Sequence, residues 1–309
     1  MILAEKMENV IETKDVTKKY GTLKAVDSIS LKVKKGEIYG FLGLNGAGKT
    51  TTIRMLLGMI RPTSGESWLK GVRVNAGNRS LWNSVGYLVE IPYSYPDLTV
   101  KENLEMMRRL RFISDAGAVG SVIEKLRLGQ YQDKKAKHLS LGNAQRLGLA
   151  KALIHNPDIL LLDEPANGLD PAGIVEIREL LFSLAHDRGV TIFISSHILG
   201  EISRFATRIG IIHEGRLFQE LDISQLDKLR KRRLLIDARD KTAARAVLEA
   251  QGYSITVAEN GRLECSDDRA IARPENVNVP LVHAGCPPTM LYVEEEDLET
   301  YFLRVIGKN

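Results

Sequence analysis

The sequence predicts an α/β domain built on a buried parallel sheet, followed by a small α+β domain. Three observations carry that expectation. Short apolar runs at 38–42, 159–162 and 190–194 have the make-up of parallel strands covered on both faces. The first run passes directly into a glycine-rich stretch and then into a helical segment. Beyond residue 223 a separate alternation of short strand-like and helical segments begins. With 309 residues, 44% hydrophobic and 27% charged, the chain can bury a sizeable core, which excludes a fibrous or wholly disordered protein.

Taken in order, residues 10–33 alternate apolar segments with Lys and Gly, and 38–42 is a buried strand. Residues 51–60 form a helix, stopped by Arg61-Pro62 and a Ser64-Gly65 turn. Helical spacing of Leu104, Met107 and Leu110 within 99–126, and again over 145–154, predicts a mostly helical middle part at about 92–150. The strands at 159–162 and 190–194 flank an amphipathic segment, 173–186, and make a βαβ unit. A charged stretch at 227–233 leads into strand, helix, strand and strand at 234–238, 242–250, 254–258 and 263–265, with a closing helix over 294–306. The boundary is placed near residue 223, giving domains at 9–222 and 223–309. No solenoid or propeller period is visible.

Several function classes drop out. A net charge of +4, from 43 basic and 39 acidic side chains, is too small to argue for nucleic acid, and no direct nucleic-acid partner is expected. No apolar run reaches the roughly 18 residues that a helix needs to cross a bilayer. Glu5, Lys6 and Glu8 stand where a signal peptide needs an apolar stretch, so export is not expected. Cys265 and Cys286 make no metal-type pair, which favours a reducing, cytoplasmic setting. The basic cluster Lys228, Arg230, Lys231, Arg232 and Arg233 is read as a solvated linker face, since no aromatics interleave it.

Gly43-Leu44-Asn45-Gly46-Ala47-Gly48-Lys49-Thr50 fits G-x-x-x-x-G-K-[ST] between a buried strand and a helix opening near Thr51. Glycines let successive backbone N–H groups turn inward around phosphate oxygens, and the helix presents its positive N-terminus to the anion. Lys49 is expected to reach the β- and γ-phosphates, and the Thr50 hydroxyl to ligate Mg²⁺. Asp163 and Glu164 emerge at the C-terminal end of the run at 159–162, the end of an α/β sheet where ligands bind. Asp163 is the expected partner of Thr50 at the metal, and Glu164 the group that polarises the attacking water.

With these residues goes Leu139-Ser140-Leu141-Gly142-Asn143, followed by Gln145-Arg146, which resembles the LSGGQ signature of the ATP-binding-cassette (ABC) ATPases. The resemblance covers about residues 10–220. It implies a phosphate-loop ATPase core with an antiparallel β part and a helical subdomain, using ATP and Mg²⁺, in which the signature of one copy caps the γ-phosphate held by another. A homodimer follows. Ser140 and Gly142 also precede an apparent helix from Ala144, a terminus suited to a phosphate. Leu141 and Asn143 depart from the family pattern.

The resemblance further implies that Tyr20 stacks on adenine, that Asp170 in Gly168-Leu169-Asp170 communicates across the dimer, and that His197 contacts the γ-phosphate. His138, His155, His186, His213 and His283 are read as structural or surface residues. Where the family carries a metal-touching Gln, this chain has Glu90, which can ligate the metal but lacks the amide's donors. Glu90, the altered signature and an acidic C-terminal segment are similar to the bacitracin- and lantibiotic-exporter branch. That branch implies separate membrane permeases, docking here near Glu90 to Tyr95, and a location on the inner face of the cell membrane. A non-transport ABC ATPase, either an assembly scaffold or a nucleic-acid-associated machine, is the alternative.

Overall fold

The computed structural model describes residues 9–307 apart from 91 and 259. Glu5, Lys6, Glu8 and Ile91 therefore lie outside the described residues. The chain divides into two compact units, one ending at Ser224 and the other beginning at Gln225.

In the first unit, β1 (Asn9–Tyr20) and β2 (Leu23–Lys34) precede β3 (Ile38–Leu42) and α1 (Lys49–Leu56). Then come β4 (Ser64–Leu69), β5 (Val72–Arg73), α2 (Arg79–Trp82), β6 (Val85–Leu88), α3 (Val100–Leu110), α4 (Ala118–Lys125) and α5 (Leu141–Leu153). β7 (Ile159–Asp163), α6 (Pro171–Arg188), β8 (Thr191–Ser196), α7 (Leu199–Ile202), β9 (Arg208–His213) and β10 (Arg216–Asp222) complete it, and α8 (Ile223–Leu229) spans the division.

Two sheets result. The antiparallel sheet runs β2-β1-β4-β5, and the second runs β10-β9-β3-β8-β7-β6, parallel except for the edge strand β10. Along β2, Leu31 and Val33 are buried while Lys32 and Lys34 are exposed, the alternation of a sheet with one covered face. In contrast β3, β7 and β8 are buried at every position, as strands covered by helices on both faces must be. Tyr39 stacks on Phe193 at 5.4 Å between adjacent β3 and β8, and both rings sit in the core.

The helical part differs in detail from its sequence pattern. The stretch 99–126 is two helices, with Thr99 and Glu102 forming a reciprocal cap at the start of α3. Leu104 is fully buried but Leu110 is 63% exposed, because α3 ends there and the chain turns away. Ser64 and Gly65, expected in a turn, open β4, and α1 ends at Leu56.

The second unit holds β11 (Arg232–Ala238), α9 (Lys241–Ala250), β12 (Ile255–Val257), β13 (Leu263–Cys265), α10 (Asp268–Ala272), α11 (Glu275–His283), β14 (Pro288–Glu295) and α12 (Leu298–Val305). Its antiparallel sheet runs β12-β13-β11-β14. Leu234, Ile236 and Ala238 form a core with Leu248 of α9 and Leu281 of α11, joined by the buried free thiols of Cys265 and Cys286. The expected closing helix over 294–306 is corrected: Glu294 and Glu295 belong to β14, opposite Arg233 and Arg232. Cross-strand ion pairs explain the strand, Arg233 Nη2 to Glu294 Oε2 at 2.6 Å and Arg232 Nη2 to Glu295 Oε1 at 2.8 Å. These pairs also occupy much of the basic cluster.

Candidate active site

The phosphate loop is shaped by contacts that exclude side chains. Gly48 has φ +107°, and a Cβ there would lie 2.5 Å from the Ala25 carbonyl. A Cβ on Gly43 would meet the Ile212 carbonyl at 2.5 Å. Both positions require glycine. Asn45 and Gly46 form the exposed tip, Leu44 is half-buried, and Ala47 is buried beneath them. Lys49 is nearly buried, with Nζ donating to the Gly43 carbonyl at 2.6 Å and to that of Leu44 at 3.3 Å, so its stem lies along the loop. Thr51 follows in the first turn of α1.

The acidic pair closes on this loop from β7. Thr50 Oγ1 donates to Asp163 Oδ2 at 2.7 Å, and Lys49 Nζ lies 3.2 Å from Glu164 Oε1. From β8, Ser195 Oγ donates to Asp163 Oδ1 at 2.5 Å, while the Glu164 N–H donates to Ser195 Oγ at 3.1 Å. His197 Nδ1 is 2.8 Å from the other Glu164 oxygen, Oε2. Glu164 is thus held between a lysine and a histidine, at a backbone φ of +49°. The structure brings together Lys49, Thr50, Asp163, Glu164 and His197.

Other candidates lie apart from that cluster. Tyr20 is half exposed at the end of β1, with Lys18 Nζ 5.2 Å from its ring centroid. Glu90, at φ +57°, is ion-paired with Arg54, one turn along α1 from Thr50. Ser140 caps α5, accepting from the Asn143 N–H at 3.3 Å, and Leu139 precedes it. The helix starts at Leu141 rather than Ala144 because that cap closes its first turn. Leu141 is 57% exposed, and its side chain fills the space beside Gly168, where a Cβ would sit 2.4 Å from Leu141 Cδ2. Gly142 packs on the Gly168 carbonyl, and Asp170 caps α6 by accepting from the Gly173 N–H at 3.0 Å. Signature and 168–170 loop are therefore neighbours within one chain.

Two residues were missed as contributors. Ser195 bonds both acidic residues, and its only signal was a Ser-Ser pair ending an apolar strand. Gln145, noted only as part of the signature motif, is buried and donates to the Glu164 carbonyl at 3.2 Å.

The family model for ABC transporters matches residues 26–167. The bacitracin transport ATP-binding protein BcrA of Bacillus licheniformis is 42% identical over 304 residues, 97% of this chain and 98% of that one. The chain belongs to the ABC transporter family. It is an ABC ATPase and binds nucleotide accordingly. The lantibiotic transport ATP-binding protein SrtF of Streptococcus pyogenes is 35% identical, spanning 74% of this ABC chain and 100% of its own length. Among solved structures, a dimeric bacterial ABC transporter cassette matches with a TM-score of 0.64 at 28% identity, covering 69% of this chain and 98% of that one. The post-hydrolysis state of such a cassette with ADP and Pi matches equally, with a TM-score of 0.64 at 26% identity, 69% of this chain and 98% of that one.

Proposed function

We propose that this ABC ATPase powers an exporter of peptide antibiotics or related drugs, working as a pair of copies on separate membrane-spanning subunits at the inner face of the cell membrane. One observation carries the substrate class. The bacitracin relative aligns over 98% of its length, through the second unit, whereas the lantibiotic relative ends with 74% of this chain matched. Among the described residues no helix is long and apolar enough to cross a membrane.

Glu164 orients and polarises the attacking water, and His197 and Lys49 flank its two oxygens. Lys49, the N–H groups of Gly46 and of Gly48 to Thr51 and the N-terminus of α1 bind the phosphates, and exposed Tyr20 offers its ring to the base. Thr50 and Asp163 suit Mg²⁺, since they bring two hard oxygen donors into contact. These two residues would hold the ion, which would supply positive charge against the phosphates. Glu90 joins this set only on leaving Arg54. Residues 139–143 and Asp170 face the second copy, and the permease docks beside Glu90 and Tyr95.

The test is purification of the tagged chain from detergent-solubilised membranes. A polytopic membrane protein should accompany it in stoichiometric amount. Recovery with soluble partners alone would favour the scaffold role.

A further inference from the structure

We propose that Gln145 is a positioning residue for Glu164, so that the water-activating carboxylate is set by the helix that carries the signature. The proposal rests on the role given to Glu164 above. Glu164 occupies the left-handed region at φ +49°, a conformation that costs energy for a residue with a side chain unless its surroundings enforce it. Both of its backbone groups are tied. Its N–H reaches Ser195, with Oγ at 3.1 Å and the carbonyl at 3.3 Å, and its carbonyl accepts from Gln145 Nε2 at 3.2 Å. Since a carbonyl only accepts, the amide nitrogen of Gln145 must face it, which fixes the side chain's orientation. Gln145 is 3% exposed, so its amide has no ready water partner in place of that carbonyl.

The consequence is mechanical. The two peptide planes that flank the Glu164 Cα are held, one at its N–H by β8 and the other at its carbonyl by α5, and together they fix the direction in which the side chain leaves the backbone. The helix α5 begins at the signature cap, Ser140, and is fastened further along to the segment after Glu90. Gly148 admits Pro92, since a Cβ there would lie 2.4 Å from Pro92 Cβ, and Lys151 Nζ bonds Ser94 Oγ at 2.9 Å and the Tyr93 carbonyl. One helix thus touches the signature, the segment at 92–94 and the peptide group of the base. A shift of α5 breaks the Gln145 contact and releases Glu164 from its strained position.

The test uses the purified full chain. Gln145→Met keeps the size and removes the donor; it should lower kcat about five- to tenfold, the value of roughly one hydrogen bond, and leave the KM for ATP within about twofold. In single-turnover hydrolysis the Glu164→Gln variant should lose no further rate when Gln145→Met is added, because the two act as a unit. If Gln145→Met fails to fold, Gln145→Asn, whose amide is one methylene short, carries the same test. A wild-type kcat in the folded variant, or losses that multiply in the double variant, overturns the proposal. A wild-type rate in Glu164→Gln alone overturns the role of Glu164 instead.

Discussion

Thr50 Oγ1 donates to Asp163 Oδ2 at 2.7 Å, joining the end of the phosphate loop to the acidic strand end across 113 chain positions. Both oxygens are hard donors, and together they form the edge of the site that we propose faces the metal. Thr50→Val should reduce ATP affinity about tenfold in the presence of magnesium and scarcely change it in excess EDTA, by calorimetry. An equal loss in both conditions would place Thr50 on the nucleotide alone.

Lys49 lies along the loop and against Glu164, and in the proposed function its one charge serves phosphate and base together. Lys49→Ala should weaken ATP binding about ten- to a hundredfold, the range of a charge-assisted hydrogen bond. Mixed with Ser140→Ala, it should recover roughly one working site per mixed dimer, because each defect lies on a different half of a shared site. No recovery would argue against pairing of signature and loop across copies.

Gly48 is constrained twice, by φ +107° and by the Ala25 carbonyl 2.5 Å from any Cβ. Gly48→Ala should destabilise the fold by about 1–3 kcal/mol, read as a lower urea midpoint at unchanged slope. An unchanged midpoint would mean that the loop relaxes freely.

His155 carries a pH dependence outside the site. Burial, aided by nearby Arg111, pushes its imidazole down to about 4, against the opposing pull of the Val85 carbonyl bond. The unfolded chain, at the ordinary value of about 6.5, binds the proton more readily, so this contribution is present above pH 6.5 and lost as pH falls towards 4. Denaturant titrations of His155→Leu should show a shallower fall in stability across that window. An identical slope would assign the acid sensitivity elsewhere.

Motifs built from neighbouring residues were legible in the sequence, as at 43–50, where glycine, lysine and threonine are consecutive and the strand before them is uniformly apolar. Contacts set by register were not. Ser195 meets Asp163 because β7 and β8 pair Asp163 with Ser195, and Gln145 meets Glu164 because α5 lies over the end of β7. Nothing local to a serine or a glutamine announces either. The run from Glu294 to Asp297 looks helical by charge and by its continuity with α12, yet arginines on β11 draw its first two residues into a strand. The helices α10 and α11 escaped notice because they are short and Pro280 interrupts the pattern of the second.

Glu164 is the proposed group that activates water, and Glu164→Gln tests that role most directly because the amide keeps the shape and loses the charge. Steady-state ATP hydrolysis should fall by about a hundredfold or more while ATP affinity stays within about threefold. Hydrolysis at the wild-type rate in that variant would contradict it.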